Sequence, residues 1–117
     1  MDDYKILYVC FNPALLLSRE RLLLGRDYDV YTVLGADGLL ALQTIEEFDF
    51  VLVGDEGPLT QRRKAVRQLR QFVPAPPVIA LCRGTEDVPG ADYEISTADP
   101  DAWLDIVADF IRERQSS

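Results

Sequence analysis

The 117-residue chain predicts an α/β fold in which one parallel β-sheet carries helices on both faces. Two observations carry this. Short apolar runs alternate with segments of helical period along the whole chain. The first of those runs, KILYVC (5–10), is continuously apolar, the pattern of a strand covered on both faces. Hydrophobic residues make up 48% and charged residues 27%, the balance of a folded globular protein, and the length fits a single domain over 1–117.

Each element has its own justification. After the first strand, NPALLLSRERLLLG reads as a helix with Asn12 as N-cap, Pro13 at the first helical position and Gly25 as its stop. YDVYTV (28–33) is the second strand, and ADGLLALQTIEEF (36–48) gives a second helix with Asp37 near its start. FVLV (50–53) is a third strand that runs into the acidic loop GDEGPL. In TQRRKAVRQLRQFV (60–73), Ala65, Val66, Leu69, Phe72 and Val73 recur at helical spacing, and Arg62, Arg63, Lys64, Arg67 and Arg70 fall outside that stripe. PPVIALC (76–82) and YEIS (93–96) are the fourth and fifth strands. RGTEDVPGAD, between them, holds two glycines and a proline and does not suit a full helix. DPDAWLDIVADFIRER is the last helix, with Asp99 capping and Pro100 at its first position.

Composition excludes several classes of function. Twelve basic against twenty acidic residues leave a net charge of −8, a field that repels nucleic-acid phosphates and anionic lipid. Cys10 and Cys82 lie far apart and there is no histidine, so neither a disulfide framework nor a zinc site is expected, and a reducing cytosol is the simplest compartment. The start, MDDYKILYVC, is acidic and unlike a signal peptide, and no apolar run is long enough to span a bilayer. A cytoplasmic protein without membrane, nucleic-acid or cofactor partners is expected.

The order of elements, with YKILYVCFNPALLL, YDVYTVLGADGLLAL, DFVLVGDEGPL, PPVIALC and GADYEISTADPDAWL, resembles the receiver domain of bacterial two-component response regulators over about residues 4 to 112. The resemblance implies a flavodoxin-like (CheY-like) doubly wound sheet of strand order 2-1-3-4-5, with any site at the carboxyl ends of strands one, three, four and five. Ser96 lies fourteen positions after Cys82, a shorter segment than in the family, which implies a fourth helix shortened or missing.

Receivers place an acidic pair after the first strand, where this chain has Cys10 and Phe11, with Asn12 beside them. The family's phosphoacceptor aspartate corresponds to Gly54, its hydroxyl to Cys82 and its lysine to Ser96, while the aromatic three residues before that lysine is kept as Tyr93. Phosphoryl transfer to an aspartate needs a divalent cation and a positive partner, and none of these positions supplies them. The resemblance therefore implies a degenerate pseudo-receiver of two-component or phosphorelay signalling that works by protein–protein contact, with no enzymatic activity and no metal. Asp55 is the one alternative phosphoacceptor, with Glu56 or Asn12 assisting a metal. Against it stands the reading of Asp55 and Glu56 as solvated loop acids without a cationic partner. A third alternative is a small-molecule pocket around Cys10, Phe11, Gly54 and Cys82.

Partner surfaces follow from exposed charge and apolar residues. The expected partner is a signalling protein, such as a kinase, an output domain or another regulator, or a second copy in a homodimer. Its candidate contacts are Trp103 at the edge of the last helix's inner face and the basic residues Arg62, Arg63, Arg67 and Arg70. Cys10 and Cys82 read as small apolar fillers, because an intervening strand keeps them too far apart for a disulfide. Leu17 and Leu24 stand about 100° from the main leucine stripe of the first helix.

Overall fold

The structure, a computed structural model, describes residues 4–73, 75–83, 88–98 and 102–115. In chain order the elements are β1 (Lys5–Cys10), α1 (Pro13–Leu24), β2 (Asp29–Leu34), α2 (Gly35–Leu39), β3 (Phe50–Val53), α3 (Leu59–Leu69), β4 (Val78–Cys82), β5 (Tyr93–Ser96) and α4 (Ala102–Gln115). All five strands run parallel in the order β2-β1-β3-β4-β5. The expected doubly wound α/β sheet is therefore present.

Burial explains the order. β3 and β4 are buried at every position and β1 at all but its first residue, as strands with layers on both sides must be. The edge strands β2 and β5 each keep several exposed residues. Alternate residues sort into two cores. Ile6, Tyr8, Cys10, Phe50, Leu52, Ile79, Leu81 and Ile95 pack with Leu23 of α1 and Trp103, Leu104, Val107 and Ile111 of α4. Leu7, Val9, Val51, Val53, Val78, Ala80 and Cys82 pack with Ala36 and Leu39 of α2 and Ala65, Val66 and Leu69 of α3.

α1 begins and ends as its sequence dictates. The Asn12 side chain accepts from the Ala14 N–H at 3.0 Å, Pro13 fills the first turn, and the Gly25 N–H bonds Arg21 O at 3.0 Å. The capping residues predicted for the last helix, Asp99 and Pro100, lie outside the described residues.

The second helix is much shorter than its pattern predicts, ending at Leu39 instead of continuing to residue 48. Geometry supplies the reason. Leu39, Ile45 and Phe48 are all buried in the same core layer. In a straight helix Phe48 would stand about 180° from Leu39, so burying both on one side requires the chain to leave the helix. Turns closed by Leu42 N–H to Leu39 O and Phe48 N–H to Ile45 O replace it.

Among the described residues no helix joins β4 to β5. Val88 is buried against the α2/α3 core, and Gly90 turns the chain with φ +92°. Arg70, which caps the end of α3, fastens this segment, its Nε donating to Gly90 O at 2.6 Å and its Nη2 lying 3.0 Å from Asp92 Oδ1. Asp92 in turn accepts the Val78 N–H at 2.8 Å and so starts β4. Replacing Arg70 by alanine is expected to cost about 1 kcal/mol, because these contacts are partly exposed. It should also speed amide exchange at Ala91 and Asp92 without affecting β1, as hydrogen-exchange mass spectrometry can read.

Candidate functional site

The carboxyl ends of β1, β3 and β4 meet on one sheet edge, where the ladder Val9–Val53–Ala80 runs across. The Gly54 N–H extends it with a bond to Val9 O at 2.8 Å. Gly54 has no room for a side chain: a Cβ would overlap Glu56 Oε1 and come 2.8 Å from both Glu56 Cδ and Tyr8 Oη. The Glu56 carboxylate, two residues later, fills that space. Tyr8 Oη donates to Glu56 Oε2 at 2.8 Å, and the Phe11 N–H reaches Oε1 at 3.4 Å. Gly57 makes this return possible, with φ +82° and a Cβ position only 2.8 Å from Phe11 Cβ.

Asp55 is held from both sides. Arg19 Nη2 donates to Oδ1 at 3.0 Å, and the Thr97 hydroxyl, just past β5, makes a short hydrogen bond to Oδ2. The same hydroxyl is 3.2 Å from Cys82 O, and its single proton is best placed on the charged acceptor. Arg19 Nε lies 3.9 Å from Glu56 Oε2, so one guanidinium serves both acids. The guanidinium carbon sits 5.3 Å from the centroid of Trp103, whose ring face favours a cation.

These groups are buried together. Asp55 and Glu56 are each 4% exposed, which corrects their reading as solvated loop acids, and Asp55 does have a cationic partner. Burial pushes the Tyr8 hydroxyl well above its ordinary pKa, and the neighbouring Glu56 charge adds to the rise. For Arg19, burial works to lower the pKa, but Tyr8, Asp55 and Glu56 outweigh it and the value is raised. The guanidinium is therefore a fixed charge.

Tyr8, Arg19 and Thr97 are absent from the residues singled out in the sequence. For Arg19 a signal exists: it lies three residues after Leu16 and four before Leu23, on the stripe of α1 that faces the sheet. A charge at such a position needs counter-ions in the interior.

The other predicted residues separate. Cys10 and Cys82 are buried in the two different cores, on opposite faces of the sheet, with β3 between their strands, and both are free thiols. Burial raises the Cys10 pKa, which suits a filler better than a nucleophile. A common pocket of Cys10, Phe11, Gly54 and Cys82 does not form, since the space at 54 holds the Glu56 carboxylate. Ser96 is exposed, and its Oγ accepts the Ala98 N–H at 3.3 Å. Tyr93 is half-exposed and stands edge-on to Phe110, ring centroids 4.5 Å apart.

Two predicted partner residues are corrected by burial. Trp103 is 1% exposed beneath Arg19, and Arg62 is also 1% exposed. Arg62, Ala65, Val66 and Leu69 follow i, i+3, i+4, i+7 spacing, so Arg62 belongs to the inner stripe of α3, not outside it. Arg70 is committed to the segment before β5, Arg63 is half-buried, and Arg67 remains on the surface. The basic face is thus smaller than the sequence implies.

No family model and no curated protein matches the chain. Solved structures do match. A CheY-like response regulator receiver domain protein from Methanospirillum hungatei JF-1 is similar at TM-score 0.75 and 21% identity, with 98% of each chain covered. The signal receiver domain of an HD domain-containing protein from Pseudomonas fluorescens Pf-5 is similar at 0.74 and 18%, covering 99% of this chain and 100% of that one. A chain from the complex of histidine kinase ThkA with response regulator protein TrrA is similar at 0.71 and 18%, covering 91% and 97%. The fold is that of receiver domains. Among the described residues no helix is long and apolar enough to cross a membrane.

Tyr8→Phe deprives buried Glu56 of a donor and is expected to cost about 1–3 kcal/mol in urea unfolding. Because the folded Tyr8 pKa is raised, its contribution is complete below the unfolded tyrosine value of about 10 and is lost as pH rises beyond it. Wild type should therefore lose stability more steeply than Tyr8→Phe in that alkaline range. Arg19→Gln strands two buried carboxylates and is expected to cost about 3 kcal/mol or more, with a change in Trp103 fluorescence.

Proposed function

We propose that this chain is a phosphorylation-independent receiver-fold module that signals through protein contact and is not an enzyme. One observation carries the reading: Arg19 engages one oxygen of Asp55 and Thr97 the other, while Glu56 fills the space at position 54. A carboxylate accepts a phosphoryl group through a free oxygen, aided by a metal that neutralises the incoming charge. At this edge the neutralising cation is a side chain of the protein itself. Among the described residues no group of three or more His, Cys, Asp or Glu side chains gathers in a way that could hold a metal. The expected partner is another signalling protein, a reading supported by the similar chain solved in complex with a histidine kinase.

A second reading is favoured by the same contacts. Asp55 is flanked by a hydroxyl and a guanidinium, the kinds of group that stabilise a transferring phosphoryl. In that case Asp55 is a displaced phosphoacceptor and Arg19 must release one oxygen before the reaction.

Intact mass after incubation with magnesium and a small acyl phosphate separates the two. Under the first reading the mass is unchanged and Trp103 fluorescence does not respond. A gain of one phosphoryl group that disappears in Asp55→Asn would overturn it in favour of the second.

A further inference from the structure

The two open edges of the sheet differ in chemistry. β5 is four residues long, contains Glu94 and follows Asp92, so charge guards it. β2 pairs with β1 alone, in an unbroken register from Lys5↔Asp29 to Cys10↔Leu34. From Val30 to Leu34 it has no charge, no proline and no bulge, the devices by which a soluble protein blunts an edge. Its outer backbone donors and acceptors form a ready template for another strand.

Exposed apolar side chains border that template. Thr32 Oγ1 donates to Glu20 Oε2 at 2.7 Å, so the Glu20 flank of α1 faces β2. Leu17 and Leu24 stand about 40–60° beyond Glu20, on the side away from buried Leu23. They are 53% and 46% exposed, Leu34 on the same side of the sheet is 43% exposed, and Tyr31 on the other side is 53% exposed. Together they leave on the order of 400 Å² of apolar surface around one strand, divided between the two faces of the sheet.

We propose that this edge is the seat of a second copy of the chain, paired antiparallel through β2 about a two-fold axis at Thr32. Residues opposite one another in an antiparallel pair share a face, so their numbers must have the same parity. A two-fold at Thr32 satisfies this and sets Val30 against Leu34 of the partner and Tyr31 against Val33. Both are apolar pairs, the second aromatic with β-branched. Two chains of net charge −8 repel, but the strand segment that joins them carries no charge of its own, and the Glu20 carboxylate beside it in each copy accepts from the Thr32 hydroxyl. These apolar side chains and the strand's own backbone together come to more than half of the roughly 800 Å² per partner of a stable interface. Because the contact is isologous it closes at two copies and leaves no open β2 edge. The sheet becomes continuous across ten strands, with both α1 helices on one face.

Sedimentation equilibrium on the full chain over micromolar to millimolar concentrations tests this. Wild type is expected to be a dimer. Leu17→Glu/Leu24→Glu should raise the dimer Kd by at least about tenfold, because it buries charge in the contact. Tyr31→Lys, which alters no residue of α1, should do the same by placing a lysine on the edge. Circular dichroism of each variant checks that the fold is kept. Ile106→Glu, on the exposed side of α4, should leave the dimer intact. A wild-type monomer throughout, a dimer that survives both the leucine and the Tyr31 variants, or one lost in Ile106→Glu instead would each overturn the proposal.

Discussion

Two carboxylates buried side by side require a cation, and the arrangement of the sheet's carboxyl edge follows from where that cation comes from. Asp55 and Glu56 leave β3 in succession, and both end up almost entirely out of water. Without a counter-charge such burial is prohibitive. Arg19 supplies it from α1, and in doing so ties the first helix to the loop after β3 and, through the indole of Trp103, to the last helix. Thr97 adds the end of β5 through the second oxygen of Asp55. Four separate parts of the chain thus converge on one ionic cluster.

The cluster also explains two glycines that otherwise look like losses. Position 54 must lack a side chain because the Glu56 carboxylate and the Tyr8 hydroxyl take that volume. Position 57 must adopt a left-handed conformation pressed against Phe11. A glycine at position 54 is therefore a requirement of the packing around it. The space is filled by a neighbouring acid with its own donors.

Elsewhere the helical layers are sparse. α2 ends early so that Ile45 and Phe48 can join Leu39 in one core layer, and the segment before β5 is fastened by Arg70 in place of a helix among the described residues. Several side chains are engaged within the fold: Arg70 is a partly exposed staple, Arg62 is buried and Trp103 is the floor beneath a cation. Of the exposed apolar side chains, Leu17, Leu24, Tyr31 and Leu34 border the β2 edge and the adjoining flank of α1.

The order of strands and helices was legible in the sequence because apolar runs and helical periods are local signals. β1, β3 and β5 coincide with the runs that announce them, and Asn12, Pro13 and Gly25 bound α1 through capping chemistry that reaches only a few residues. The sequence by itself also determined that no carboxylate stands at position 54. Tertiary structure alone decided which charges pair inside. Helical spacing puts Arg19 on the inner stripe of α1, but it meets Asp55 across 36 residues of chain, and nothing local to either names that partner. The end of α2 was hidden for a related reason, since helical propensity favours continuing and only the need to bury Leu39 and Phe48 on the same layer stops it. Periodicity assigns a residue to a face, but its partner on that face is set by contacts far along the chain.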